Sequence, residues 1–365
     1  MKKVGCVTFH ASHNYGSVLQ AYALQEFIKE KFKNIDYKII NLRTKRQKKM
    51  YSVFPDNSSL KYKFFVLLNF VALKRKYNRF EKFINANLAV TKEFDDEYIS
   101  ESNFDFDYYI SGGDQIWNLA PVDFSWLYFL PFVKKNKKIS YSVSLGPKSY
   151  DFNDEDRLKI GKYINSYSFL SLREKESIAQ LGRITEKSIQ QNIDPVLLLN
   201  KTTWLKLIGK RLVKRAYIFM YILDGDLQAY SFAKRLSRLT KKKVIVTKPI
   251  CKKDFFNYYS NHFDCGPIEF LNYIYYSDCV ISTSFHGCVF ASVFERPLIT
   301  FNAEKDNRRK YFLEKYGLND RNIKESISDK EIEKLLTNIN YKKFNLEIQK
   351  ERIKSFEYLK NAFDE

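Results

Sequence analysis

Histidine, cysteine and glycine-rich loops are scarce in this chain, and the scarcity removes whole classes of chemistry. Four histidines and five cysteines among 365 residues include no Cys-x-x-Cys spacing and no His/Cys cluster, so no metal site is expected. The cysteines (Cys6, Cys251, Cys265, Cys279 and Cys288) are odd in number. Cys6 and Cys279 sit inside apparent strands, where a thiol behaves as a small buried hydrophobe. A reduced, cytoplasmic protein is the expectation. Neither Gly-x-x-x-x-Gly-Lys-Ser/Thr nor Gly-x-Gly-x-x-Gly occurs, so ATPase and dinucleotide readings lack support. The longest apolar run, Phe64 to Leu73, is broken by Asn69 and falls far short of the roughly 20 residues that cross a bilayer. The opening MKKVGCVTFHASHN has no apolar signal core. Internal repeats, low-complexity tracts and Pro-rich linkers are missing too.

What is present is an apolar, aromatic and strongly basic protein. Hydrophobic residues make up 45% of the chain, enough for folded cores, and the net charge is +20. From Lys29 to Lys82 there are 16 Lys and Arg against 4 Asp and Glu, which is +12 of that total. The segment 45–82 alternates basic and apolar blocks. A basic helix with an aliphatic and aromatic face can lie on an anionic membrane surface. The competing reading is a helix packed into its own domain with a solvated basic edge. Nucleic acid is the weakest partner, because no zinc-finger, RNP-type or homeodomain-like pattern appears.

Short apolar strands interleave with helices along the chain, the pattern of parallel sheets covered on both faces. Strands are predicted at 4–9, 37–41, 108–111 and 138–144, with a helix from Ser17 to Lys31. The pattern restarts at 167–172 and continues at 216–222, 243–247, 279–282 and 298–301. An α/β protein of two Rossmann-like domains is expected, over 1–165 and 166–325. Residues 326–365 are polar and helical in period, and are expected to cross back to the first domain.

The stretch from Gly266 to Thr300 carries the most chemistry. It reads as helix, buried strand, polar turn, helix and strand. The turn Ser282-Thr283-Ser284-Phe285-His286-Gly287 falls at a strand C-terminus and a helix N-terminus, where parallel sheets bind ligands and unpaired N–H groups favour anions. Alternatively, His286 merely caps a core helix. Taken with HASHNYGSVLQAYALQ, YYISGGDQIWN, SYSVSLG, LSLREKES, NIDPVLLL and NRRKYFLEKYGL elsewhere, the stretch resembles the polysaccharide pyruvyl transferase family. The motifs follow the family's order over nearly the whole chain. Many members carry a basic residue two positions before the histidine, where this chain has Ser284, so it resembles a sub-branch.

The resemblance implies the two-lobed GT-B arrangement and transfer of the carboxyvinyl carbon of phosphoenolpyruvate to a sugar, giving a ketal that bridges two hydroxyls. The acceptor would be a glycan precursor, free, nucleotide-linked or lipid-linked. On the donor side Arg173 offers a guanidinium for carboxylate or phosphate, unless it pairs with Glu174 or Glu176. Ser177 adds a hydroxyl. His286 can donate to phosphate and transfer a proton. Ser282, Thr283 and Ser284 line the turn, Gly287 admits a ligand to the backbone, and Arg308 and Arg309 are further cations. On the acceptor side His10, His13, Asn14, Tyr15 and Gln115 suit sugar hydroxyls. Trp117 offers a flat face to a pyranose, or belongs to the core. Asp114 is the candidate base, or else a turn former after Gly-Gly, with His10 and His13 as alternatives. Phosphate departure would be helped by Arg173, His286 and the helix N-terminus, without a cofactor or metal. A glycosyltransferase using a nucleotide sugar and a non-catalytic polyanion- or membrane-binding protein are the competing functions.

Overall fold

The computed structural model of the chain describes residues 1–54, 59–94, 99–148, 151–223, 226–247, 258–337 and 340–364. Cys251 lies outside them. The chain forms two compact units, one of Met1–Leu68, Glu81–Leu199 and Gln349–Glu365, the other of Asn69–Phe80 and Asn200–Ile348.

In the first unit, β1 (Lys2–Val7), β2 (Ile35–Leu42), β3 (Val90–Phe94), β4 (Tyr108–Gly112) and β5 (Lys137–Tyr141) form a parallel sheet in the order β3-β2-β1-β4-β5. Central strands covered on both faces must be apolar throughout, and Val4, Cys6 and Val7 are indeed fully buried beside Tyr109 and Ile110. The connecting helices are α1 (Tyr15–Lys31), α2 (Lys45–Tyr51), α3 (Leu60–Asn87, of which Asn69–Phe80 falls in the second unit), α4 (Asp154–Ile164) and α5 (Lys175–Leu181). Helix α3 leaves helical geometry at Asn69 (φ −114°, ψ 15°), the residue that interrupts the apolar run. A short parallel pair, β6 (Leu170–Leu172) and β7 (Ile189–Gln191), continues from β5 through the bridges Ile139–Phe169 and Val143–Leu172.

Those bridges correct the expected boundary. The chain stays in the first unit past residue 165, as far as Leu199, because β6 extends the edge of β5 and the Ser140 hydroxyl accepts Ser171 N at 2.7 Å and donates to Ser171 O at 3.1 Å.

The second unit repeats the plan. Strands β8 (Tyr217–Tyr221), β9 (Lys243–Val246), β10 (Tyr259–Asn261), β11 (Cys279–Ser282), β12 (Leu298–Phe301) and β13 (Asn322–Ile323) run parallel in the order β10-β9-β8-β11-β12-β13. Helices α6 (Lys201–Leu205), α7 (Leu227–Thr240), α8 (Pro267–Tyr275), α9 (Phe285–Val293), α10 (Asn307–Tyr316) and α11 (Asp329–Thr337) accompany them. Helix α9 is apolar nearly all round and is wholly buried, as such a helix must be.

The last helix, α12 (Lys342–Asp364), returns to the first unit as expected. Tyr358 donates to Ser140 O at 2.7 Å, and Arg352 donates to Leu197 O and Leu199 O at 2.7 Å each. Both sheets therefore reverse strand order once, between β1 and β4 and between β8 and β11. Crevices at such reversals, outside the strand carboxyl ends, are where open sheets take ligands.

Candidate functional site

At the β1/β4 reversal the sequence concentrates polar side chains that the fold buries. Gly113 (φ +60°) and Asp114 (φ +54°) turn the chain sharply after β4. A side chain at Gly113 would meet Gln20 Oε1 at 2.0 Å. Asp114 is buried, accepts Ser17 Oγ at 2.5 Å and Gln115 N at 2.8 Å, and so joins the start of α1 to the β4 loop. Beside it stands a carboxyl that sequence reasoning missed. Asp123 accepts Tyr51 OH at 3.0 Å and Ser12 Oγ at 3.4 Å, and Ser12 in turn accepts Gln47 Nε2 at 3.1 Å. Burial, with a push from the Asp114 carboxylate, raises the Asp123 pKa above the usual aspartate value, and the bonds from Tyr51 and Ser12 only partly offset it. No motif marks Asp123; it is a lone acid in the Ala-Pro-Val-Asp-Phe loop. Its one sequence signal is its position a few residues beyond the β4 turn.

The remaining residues of this end divide into braces and open groups. His10 is fully buried, its ring bonded to Asn41 Oδ1 (2.9 Å) and Thr8 O (3.2 Å), and burial lowers its pKa. It locks β1 to β2 and is corrected from acceptor ligand to brace. Trp117 is likewise core: it stacks on Phe129 at 4.7 Å and donates to Tyr128 O at 3.1 Å. Tyr15 is buried at the head of α1. Asn14 is exposed, with its Oδ1 on Gly16 N as the helix cap, and Gln115 is half-buried and accepts Asn118 Nδ2 at 3.2 Å. His13 lies 2.9 Å from Glu81 Oε1, which Arg43 also holds at 3.2 Å. Burial pushes the Glu81 carboxyl up, but the His13 bond and the Arg43 charge bring it below the ordinary value.

Arg173 also belongs to this unit, whereas His286 belongs to the other. It follows β6, donates through Nε to Glu174 Oε1 at 2.6 Å and through Nη1 to Asp194, with all three residues buried. Ser177 donates to Glu174 Oε2 at 3.2 Å. The expectation that Arg173 stands at a strand end of the second domain is thereby corrected. Here the guanidinium closes an internal ion triad, the alternative that Glu174 allowed.

At the β8/β11 reversal of the second unit, Ser282 ends β11 and its Oγ donates to Tyr221 O at 2.9 Å while accepting Ser284 N at 3.1 Å. Thr283 Oγ1 accepts Leu223 N at 3.1 Å and so ties the loop after β8 to the loop after β11. Ser284 caps α9, and the N–H groups of its first turn have no intrahelical acceptor. His286 is buried in that turn, with its ring 5.1 Å from Phe285. Arg308 is gripped by Asp306 at 2.9 and 2.8 Å and lies 5.9 Å from the Phe285 ring. Burial pushes Asp306 up, yet the Arg308 charge holds it below the usual range. Arg309 is corrected from donor ligand to strut. It is fully buried and donates to Thr300 Oγ1 (3.0 Å), Phe301 O (2.8 Å) and Asn302 O (3.3 Å).

Gly287 gives the turn its shape. A Cβ there would lie 2.1 Å from Ser282 Oγ, so Gly287→Ala must displace the hydroxyl that holds Tyr221 O and Ser284 N. A loss of about 1–3 kcal/mol is expected, read as a lower denaturant midpoint for this unit. Adding Ser282→Ala, which deletes the closest atom, should recover part of it.

A family model described as polysaccharide pyruvyl transferase matches residues 14–304. The match takes in Asp114, Asp123, Arg173 and the 282–287 turn, and leaves out His10, His13, Arg308 and Arg309. No curated protein matches this sequence. Among solved structures, the chain is similar to a UDP-N-acetylglucosamine 2-epimerase from Rickettsia bellii at 10% identity, covering 100% of this chain and 97% of that one, with a TM-score of 0.54. It is also similar to the MnaA protein of S. aureus solved with UDP, at 10% identity, 93% and 89% coverage and a TM-score of 0.50. At such identity the likeness is one of fold, the GT-B-like α/β class read from the sequence.

Proposed function

Because the chain belongs to the polysaccharide pyruvyl transferase family, we propose that it moves the pyruvyl group of phosphoenolpyruvate onto a sugar of a cell-surface polysaccharide precursor, as a ketal. The observation that carries the reading is the span of the family match, which includes the polar turns at both strand reversals. In the overall reaction two sugar hydroxyls lose protons and bond to the enol carbon. One proton goes to the methylene carbon, and phosphate leaves with the other.

The 282–287 turn supplies the donor side in this reading. The N-terminus of α9, with the hydroxyls of Thr283 and Ser284, meets the phosphate and carboxylate, and His286 delivers the proton to the methylene carbon. Arg308 stands by as a cation already half-neutralised by Asp306. On the acceptor side, Asn14, His13 and Gln115 meet sugar hydroxyls. Asp123 takes the role of base in this proposal, because burial strengthens its hold on a proton. The four described cysteines are free thiols, which fits a reducing, cytoplasmic setting.

Two measurements follow. Phosphoenolpyruvate should raise the melting temperature, since a ligand bound only by the native state stabilises it. A rise with UDP-sugars and none with phosphoenolpyruvate would favour glycosyl transfer. The second concerns pH. As a base, Asp123 must be ionised, so activity should climb with pH through a value above the normal aspartate range. Stability moves the other way: the folded chain binds this proton more tightly than the unfolded one, so the stabilisation is complete at low pH and lost as pH rises through the raised value. Asp123→Asn should flatten the stability trend and lower kcat by about 10²–10⁴. An unchanged acid limb in that variant would return the role to Asp114 or a histidine.

A further inference from the structure

One surface of the first unit is apolar where water should be. In α3, ahead of the break at Asn69, Leu60, Phe64 and Leu67 stand at i, i+4 and i+7 with Leu68 beside them, which places them on one stripe of the helix. They are 84%, 63%, 68% and 68% exposed, whereas Val66 is fully buried. An amphipathic helix that packs on its own domain turns such a stripe inward; this one turns it outward. Contiguous apolar surface of this kind marks an interaction site.

Charge chooses the occupant. From Lys45 to Arg79 the sequence carries ten Lys and Arg and a single acidic residue, Asp56. Lys45, Arg46, Lys48, Lys49 and Lys63 are all exposed. A second copy of the chain would bring two such segments together and set like charges against each other. An anionic lipid surface offers an acyl boundary for the stripe and negative headgroups for the cations at once. No described helix is long and apolar enough to cross a membrane.

We propose that the outward stripe of α3, centred on Leu60, Phe64, Leu67 and Leu68, seats the protein on an anionic bilayer surface. The inference is independent of which donor is used. It also narrows the expectation drawn from the whole 45–82 segment. Arg75 and Arg79 are drawn to Asp264 at 3.2 and 3.0 Å, and Arg79 reaches Glu269 at 3.2 Å. They brace the second unit, so neutralising them tests folding as much as lipid binding.

The test is co-sedimentation of the full chain with vesicles of phosphatidylcholine, alone or mixed with phosphatidylglycerol. Binding should need the anionic lipid and weaken with salt. Phe64→Glu with Leu67→Glu should weaken it by about tenfold or more while leaving thermal unfolding unchanged, since both side chains are exposed. Arg46→Gln with Lys63→Gln should weaken it by about fivefold per residue. A Phe64→Trp variant should show blue-shifted emission, quenched by brominated lipid, on anionic vesicles alone. Undiminished binding by the double Glu variant, or equal binding to neutral vesicles, would overturn the proposal. So would a wild-type dimer that fails to bind vesicles and dissociates on the Glu substitutions, since the stripe would then be covered by a second copy.

Discussion

Replacing His286 by alanine should lower kcat for phosphoenolpyruvate by about 10²–10⁴, the range that a positioned proton donor contributes. The residue lies in the first turn of α9, two residues after the cap Ser284 and four after the end of β11. Its imidazole is buried and lies edge-on to the Phe285 ring at 5.1 Å. Phosphoenolpyruvate binding should fall much less than turnover, because the helix N-terminus and the turn hydroxyls remain. A split of that kind, with kcat lost and affinity largely kept, marks an interaction made in the transition state. His286→Gln, which keeps a hydrogen-bond donor but cannot exchange a proton near neutral pH, should be as slow as the alanine variant. If glutamine restores wild-type kcat, His286 is a binding group only.

Replacing Arg173 by alanine should act on folding first. The guanidinium is buried with Glu174 and Asp194 as its partners, and its removal leaves two buried carboxylates without their shared cation. Breaking a buried ion pair from one side costs about 3–5 kcal/mol. The damage should spread, because Asp194 Oδ1 also accepts Val196 N at 2.9 Å and so caps the turn Pro195–Leu198. That turn presents the carbonyl of Leu197 to Arg352 of α12. The expected result is a marked fall in the denaturant midpoint of the first unit. Arg173→Lys, which keeps the charge but loses the planar fork, should fall between. A stable Arg173→Ala protein that has lost only phosphoenolpyruvate affinity would restore the donor role that the family resemblance implied.

These two residues illustrate what the sequence could carry. The central strands β1, β4, β8, β11 and β12 were legible because burial on both faces demands unbroken apolar runs, and Cys279–Ser282 and Leu298–Phe301 match the expectation to the residue. The edge strands β3, β7, β10 and β13 were missed. Thr91, Lys92 and Glu93 in β3, or Gln190 and Gln191 in β7, form no apolar run because one side of an edge strand can stay wet. The boundary near residue 165 misled for a related reason: the pattern does restart at β6, but β6 pairs back onto β5.

At the site, strand-end turns were legible from Gly-Gly-Asp and Ser-Thr-Ser-Phe-His-Gly. What each side chain touches was not. His10, Trp117, Arg173 and Arg309 have the chemistry of ligands, and their partners Asn41, Phe129, Asp194 and Thr300 come from other elements that only folding brings near. Asp123 escaped for the converse reason, since its raised pKa is created by burial and by Asp114.

The most direct measurement follows the enol carbon itself. The protein is incubated with phosphoenolpyruvate carrying ¹³C at that carbon, together with a panel of glycan precursors, and the products are followed by NMR, mass spectrometry and phosphate assay. The account predicts that with one class of acceptor the label moves into a ketal carbon bonded to two sugar oxygens, with one phosphate released per ketal formed. Untouched phosphoenolpyruvate across the panel, with a nucleotide sugar consumed by the same preparation, would contradict it.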